Sequence, residues 1–152
     1  MNFETVLQDI IRKMIQEKGD LIDLAYDTPG SLEGWFQVEM LKRLFDKYKR
    51  SCSEITREKA YPQGGGFCDL YLKFNHGASL WIELKVDENN RINYAEALEK
   101  DMQKLEKIQQ PAVEKYAVLI SRLGYTGSQI SAFPAKQVKT RGFTYNVWAI
   151  AV

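Results

Sequence analysis

Two short runs of alternating hydrophobic and polar residues, joined by a tight turn, constrain this fold more than any other feature of the chain. The first run begins at Phe67, the second covers Ser79 to Val86, and Asn75-His76-Gly77 lies between them. Alternation with a period of two is typical of strands, because successive side chains point to opposite faces of a sheet. The two runs therefore predict a β-hairpin.

One face of this hairpin collects charged side chains. Glu83 and Lys85 share a face with Trp81, and Asp69 of the first run can lie beside them if the two runs pair. Two carboxylates and a lysine on one sheet face are costly to desolvate, and a divalent cation commonly offsets that cost. The alternative is a solvated face with an ordinary cross-strand salt bridge. Trp81 beside Glu83 favours a partly covered cleft.

This pattern resembles the PD-(D/E)XK nuclease superfamily, in which an Asp on one strand is followed by Glu-x-Lys on the next. Here the residues are Asp69 and Glu83-Leu84-Lys85, and Cys68 stands in the place of the family's proline. The resemblance extends over about residues 31–121. It implies a restriction-endonuclease-like fold and metal-dependent hydrolysis of phosphodiester bonds in DNA.

The resemblance also implies roles for these residues. Mg²⁺ or Mn²⁺ would be held by Asp69, Glu83 and the backbone carbonyl of Leu84, and the ion would activate water and neutralise phosphoryl charge. Lys85 would orient the water or help to deprotonate it, and would stabilise the transition state. The pKa of this lysine depends on a balance between the metal and the acids that the sequence leaves open.

Periodic patterns elsewhere predict the elements around the hairpin. Amphipathic helices are expected over residues 4–18, 31–49 and 92–109, with strands over residues 53–61, 115–121 and 143–152. The order α-α-β-β-β-α-β-β predicts an α/β protein with a single mixed β-sheet flanked by helices. At this length we expect one domain over residues 1–152.

The helix over residues 31–49 is expected to contribute an acid to the metal or its waters, as the resemblance implies. Its expected buried stripe consists of Trp35, Val38, Leu41, Leu44, Phe45 and Tyr48. Glu39 borders that stripe and is the first candidate, and Glu33 is the competitor. The alternative is that both are exposed helix acids.

Basic side chains on two helices are candidate phosphate contacts: Lys47, Lys49 and Arg50 on one, and Lys100 and Lys104 on the other. A solvated helix surface is the alternative for both groups. The net charge of +1 gives no overall attraction to nucleic acid. Tyr61, Tyr71 and Trp81 could stack on bases, with burial in the core as the simpler expectation.

Several other chemistries are disfavoured. No Gly-Lys-Ser/Thr follows Gly64-Gly65-Gly66, which reads as a flexible entry loop rather than a nucleotide-binding motif. The single histidine, His76, lies in a turn, which argues against Ser-His-Asp catalysis. The two cysteines suit neither a disulfide framework nor a zinc site, so a reducing, cytoplasmic location is the default. No run is long enough to span a membrane.

We therefore expect a cytoplasmic, Mg²⁺- or Mn²⁺-dependent nuclease that acts on DNA, with RNA left open as a substrate. The alternative is a catalytically silent member of the same fold that binds nucleic acid or a protein partner. A homodimer would allow two sites to address two strands. The apolar stretch from Tyr145 to Val152 could serve as its pairing edge, although packing inside the sheet is the simpler expectation.

Overall fold

The computed structural model describes residues 2–28, 32–87, 93–122 and 129–152. The α-helices are α1 (Phe3–Glu17), α2 (Gly19–Tyr26), α3 (Leu32–Tyr48) and α4 (Tyr94–Glu106). The strands are β1 (Cys52–Ala60), β2 (Phe67–Phe74), β3 (Ser79–Val86), β4 (Val113–Ser121), β5 (Lys136–Lys139) and β6 (Thr144–Ala151). A 3₁₀ turn covers Gln129–Ala132.

The six strands form one mixed sheet in the order β1-β2-β3-β4-β6-β5. β3 and β4 are parallel neighbours, and every other pair of neighbours is antiparallel. Parallel neighbours need a crossover connection, and α4 lies between them in the chain. The predicted α/β class with a single mixed sheet is confirmed.

Helices cover both faces of the sheet. On one face, α1, α2 and α3 pack against alternate residues of the central strands, such as Leu70, Ile82 and Val118. On the other face, α4 packs through Leu98 and Met102 against a cluster that includes Trp81. The central strands are therefore buried on both sides, as the near-continuous apolar sequence of β4 predicts.

Some elements differ from the predictions. The first helix ends at Glu17 and α2 follows at once from Gly19, whereas no second helix was expected there. The short β5 was also missed, because only Val138 of its four residues is buried. β6 lies between β4 and β5, so its inner position confirms the simpler expectation. Residues 88–92, which include the predicted helix start, lie outside the described residues.

The buried face of α3 is rotated from the predicted one. Its buried residues are Leu32, Phe36, Gln37, Met40, Leu44 and Tyr48. Val38 and Phe45 are 50% and 49% exposed, so their assignment to the stripe is wrong. At about 100° per residue, the midline of the buried arc passes close to Glu33 and Met40, and Glu39 lies well to one side.

In the part of the chain that is described, no helix has the length and apolar character needed to cross a membrane.

Candidate active site

The hairpin of β2 and β3 opens at one end, and the motif residues lie at that opening. The ladder runs from Lys73 paired with Ser79 to Leu70 paired with Ile82. On its other side, β3 continues to pair with β4 as far as Val86. Backbone N–H groups that face the opening need other acceptors, because a buried unpaired amide is costly.

Two carboxylates accept hydrogen bonds from N–H groups of β3 that lie beyond the end of its ladder with β2. The Leu84 N–H donates to Asp69 Oδ2 with an N···O distance of 2.8 Å. The Val86 N–H donates to Glu33 Oε2 at 3.1 Å. One acid comes from β2 and the other from the first turn of α3, so the opening is lined by charges from two different elements.

The backbone of Leu84 supplies an oxygen to the same place. In a strand, the N–H and C=O of one residue point to the same edge, as the two-way exchange in antiparallel pairs shows. Because the Leu84 N–H faces Asp69, its carbonyl also faces the opening. This is the orientation that the predicted backbone ligand requires.

Glu83 is the most deeply buried acid of the motif, with 3% of its surface exposed. The Tyr61 hydroxyl donates a hydrogen bond to Glu83 Oε1. Burial and then the nearby Asp69 carboxylate raise the pKa of Glu83 to about 9, although the Tyr61 hydrogen bond acts in the opposite direction. A buried carboxyl group of this kind retains a proton or binds a cation.

The donor set fits a divalent cation with open positions. Asp69 and Glu83 offer carboxylate oxygens and Leu84 a carbonyl. Mg²⁺ is commonly held by one or two carboxylates together with waters and substrate phosphates. Across the described residues, no three acidic, histidine or cysteine side chains lie together in a group that could hold a metal ion. A Mg²⁺ or Mn²⁺ ion here would therefore complete its coordination from outside the protein.

Lys85 lies between two acids. Its Nζ is 3.1 Å from Asp101 Oδ2 and 3.9 Å from Glu33 Oε1. Burial lowers the pKa of Lys85, but Asp101 and then Glu33 attract the ammonium, and the net effect raises the pKa above its ordinary value of 10.5. Lys85 is therefore a cation at neutral pH, suited to stabilising negative charge rather than to accepting a proton.

Asp101 was missed by the sequence analysis. It lies on the buried face of α4 with 8% of its side chain exposed, and it also contacts Lys104 Nζ at 3.0 Å. A signal was present in the sequence, because Asp101 falls three residues after Leu98 and four before Leu105, within the helix's apolar stripe. An acid at such a position needs cationic partners.

The acid of α3 at this opening is Glu33. Glu39 instead accepts a hydrogen bond from Arg43 at 3.0 Å, and Arg43 also binds Glu17 of α1. These contacts tie Glu39 to a helix–helix junction, because the rotated buried face of α3 turns it away from β3. The expected ranking of the two acids is thus reversed by their positions, and the metal-assisting role of either stays a prediction.

The basic candidates separate into two groups. Lys104 contacts Asp101 beside Lys85, and Lys100 is exposed one turn earlier on α4. Lys47, Lys49 and Arg50 lie at the opposite end of α3 from Glu33; at about 1.5 Å per residue, the helix separates them by roughly 20 Å. The structure brings only the α4 group near the motif.

The aromatic candidates for base stacking are in the core. Tyr61, Tyr71 and Trp81 are 4%, 6% and 2% exposed. The rings of Tyr61 and Trp81 stack with centroids 6.0 Å apart. The simpler expectation of burial is confirmed for all three. Tyr61 contacts the motif, but no periodicity links it to Glu83, which lies 22 residues away.

The loop between β1 and β2 borders the site. Gly64, Gly65 and Gly66 have φ values of +79°, +86° and +124°. These are backbone conformations that favour glycine. The Gln63 side-chain amide donates to the Lys104 carbonyl at 3.1 Å. The loop is therefore attached to the end of α4.

Two surface cavities lie away from the motif. One, of about 590 Å³, is formed where α1 meets α2 and includes Thr140 and Arg141. The other, of about 380 Å³, is lined chiefly by Phe3, Tyr48 and Phe74. The first is lined by Glu17 and Asp20 together with two lysines, but all of these side chains are exposed, and neither cavity contains a buried carboxyl group. The chemistry of the hairpin opening therefore makes it the stronger candidate site.

Comparisons of the chain with protein-family models, curated proteins and solved structures find no significant match. The assignment of a function therefore rests on the residues at the hairpin opening.

Proposed function

We propose that this chain is a metal-dependent nuclease of the PD-(D/E)XK type, with a restriction-endonuclease-like arrangement of its sheet. The supporting observation is the meeting of Asp69, buried Glu83 and cationic Lys85 at the opening between β2 and β3. The helix before β1 and the crossover helix after β3 both contribute acids to the same place. An ordinary salt bridge on a sheet face would not explain why Glu83 is buried beside a second carboxyl group, that of Asp69.

In hydrolysis, the motif residues would have two separate roles, metal binding and stabilisation of charge. Asp69, Glu83 and the Leu84 carbonyl would hold Mg²⁺ or Mn²⁺, which when bound supplies an activated water and neutralises phosphoryl oxygens. Lys85 keeps its ammonium fixed beside the site through Asp101 and Glu33. That fixed positive charge stabilises the charge that develops on the phosphate in the transition state.

DNA is the proposed substrate, contacted by local positive charge near the site. Lys104 is 45% exposed on its side chain and lies beside Asp101. Lys100 extends the same helix surface toward solvent. With a net charge of +1, the remaining surface adds little attraction for a polyanion. RNA shares the phosphodiester chemistry and is distinguished by the assay.

The direct test is a cleavage assay of the purified protein with Mg²⁺, Mn²⁺ or EDTA. Supercoiled plasmid, linear duplex, single-stranded and branched DNA and RNA serve as substrates. We expect metal-dependent cutting of DNA that falls at least about 100-fold in Asp69→Asn, because the amide lowers the ligand's charge. The amide oxygen can still accept from the Leu84 N–H, so the hairpin is retained. Equal cutting by Asp69→Asn would show that the activity does not come from this site.

The two acids of α3 provide a matched pair of variants. We expect Glu33→Gln to lower the cleavage rate about 10-fold or more, because Glu33 contacts both Lys85 and the Val86 N–H. Glu39→Gln should cut at nearly the wild-type rate, since Glu39 contacts Arg43. Single-turnover rates at saturating metal measure both. The opposite order would restore Glu39 as the helical acid of the site.

A second candidate is a protein of the same fold that binds nucleic acid or a protein partner without cutting. The ion pairs of Lys85 with Asp101 and Glu33 favour it, because they compensate the lysine's charge within the protein. This candidate predicts no gain in thermal stability from Mn²⁺. A nuclease should gain stability, by about 2.7 kcal/mol at a metal concentration 100 times Kd.

A further inference from the structure

We infer that Tyr61 is a positioning residue, which holds Glu83 in the conformation that binds the metal. The inference rests on the proposed function and extends it to a residue outside the motif. Tyr61 follows the end of β1, and its hydroxyl donates to Glu83 Oε1 on β3. It is 4% exposed, so water does not compete for this hydrogen bond.

The ring and backbone of Tyr61 are both fixed. The ring stacks on Trp81 at 6.0 Å between centroids and 10° between planes. The Tyr61 N–H donates to the Gly66 carbonyl at 3.1 Å, and the Gly64 N–H donates to the Tyr61 carbonyl at 3.0 Å. The hydroxyl is therefore presented to Glu83 from a rigid support.

One hydrogen bond is enough to select an oxygen. A phenol has a single proton to donate, and here Glu83 Oε1 accepts it. Tyr61 thereby fixes the orientation of the Glu83 carboxyl group. A carboxyl group in a fixed orientation would hold the metal together with Asp69.

The positioning is needed because the glutamate side chain is flexible. Glu83 and Asp69 lie at the same opening and would have to present their oxygens to one ion. A glutamate has several rotatable bonds, and without a fixed donor Glu83 can turn away from Asp69. Partners that orient metal ligands commonly contribute about 10–100-fold to metal affinity.

The test compares Tyr61→Phe with Tyr71→Phe. Both residues are buried and both rings contact Trp81, but only Tyr61 contacts Glu83. Mn²⁺ affinity is measured on metal-free protein by electron paramagnetic resonance, without substrate. We expect about 10–100-fold weaker binding in Tyr61→Phe and wild-type binding in Tyr71→Phe. Saturating Mn²⁺ should restore most of the cleavage rate of Tyr61→Phe, a recovery that a purely structural defect would not show.

The outcomes separate the inference from the proposed function. Wild-type Mn²⁺ affinity in Tyr61→Phe would overturn the positioning role and leave the nuclease proposal intact. A wild-type protein that binds no Mn²⁺ would overturn both. If Tyr61→Phe does not fold, Tyr61→His supplies a ring N–H as an alternative donor. Tighter Mn²⁺ binding by Tyr61→His than by Tyr61→Leu would then support the inference, and equal binding would reject it.

Discussion

Replacing Lys85 by methionine is expected to lower the single-turnover cleavage rate by about 10²–10⁴-fold at saturating metal, the range of a lost catalytic side chain. Methionine keeps much of the side chain's length and removes its charge. The ammonium lies 3.1 Å from Asp101 and 3.9 Å from Glu33, which hold it beside the carboxylates of the motif. No other cation of β3 can take its place, since Lys85 is the only basic residue in that strand.

Lys104→Met is the matched control, because Lys104 also contacts Asp101, at 3.0 Å. We expect its main effect on substrate affinity, with a single-turnover rate close to that of the wild type. Asp101 keeps one cationic partner in each variant. Each should therefore lose less stability than the roughly 3–5 kcal/mol expected when a buried ion pair loses its only partner. Equal losses of rate in the two variants would contradict a specific role for Lys85.

Replacing Glu83 by glutamine is expected to stabilise the metal-free protein at pH 8 by an amount on the order of a few kcal/mol. The pKa of Glu83 is raised in the folded protein from 4.5 to about 9, chiefly by burial and then by Asp69. Below pH 4.5, folded and unfolded chains both carry the proton. Above it the unfolded chain releases the proton first, so the wild type loses stability as the pH rises toward 9. Glutamine has no such dependence and can still accept from Tyr61.

Urea unfolding at pH 5 and pH 8 in EDTA measures this difference. The gap between Glu83→Gln and wild type should be small at pH 5 and large at pH 8. Added Mn²⁺ should stabilise the wild type and leave the variant unchanged. Glu39→Gln is the control. It also replaces a glutamate by glutamine, but Glu39 is paired with Arg43, so its removal should not stabilise the protein. A wild type as stable as Glu83→Gln at pH 8 without metal would show that the buried carboxylate is compensated within the protein.

The hairpin and its three charges could be predicted because they depend on the period of two within adjacent strands. The position of the helical acid could not. Apolar residues occupy most of the circumference of α3, including Val38 and Phe45 on its solvent side. An apolar stripe can then be drawn at more than one angle. The angle chosen for the stripe decides whether Glu33 or Glu39 is expected to face the sheet.

The other site residues that the sequence did not predict are placed by contacts between distant elements. Tyr61 lies 22 residues before Glu83, and its side chain reaches the acid across β2. Periodicity assigns a residue to a face of its own element, but it does not say which residue of another element will meet it. A paired role for Asp101 could have been predicted, because an acid within an apolar helical stripe requires a partner in the fold.

The hydrogen bond from the Leu84 N–H to Asp69 has an evolutionary consequence. Asp69 and Glu33 complete the backbone of β3 whether or not phosphodiester bonds are cut. A descendant of this chain that lost the proposed nuclease activity would therefore retain both acids under selection for folding alone. Glu83, whose buried charge opposes folding, would be the first to drift toward a neutral residue. If the proposed function is correct, the identity of residue 83 would distinguish active relatives from silent ones, whereas an invariant Asp69 would not.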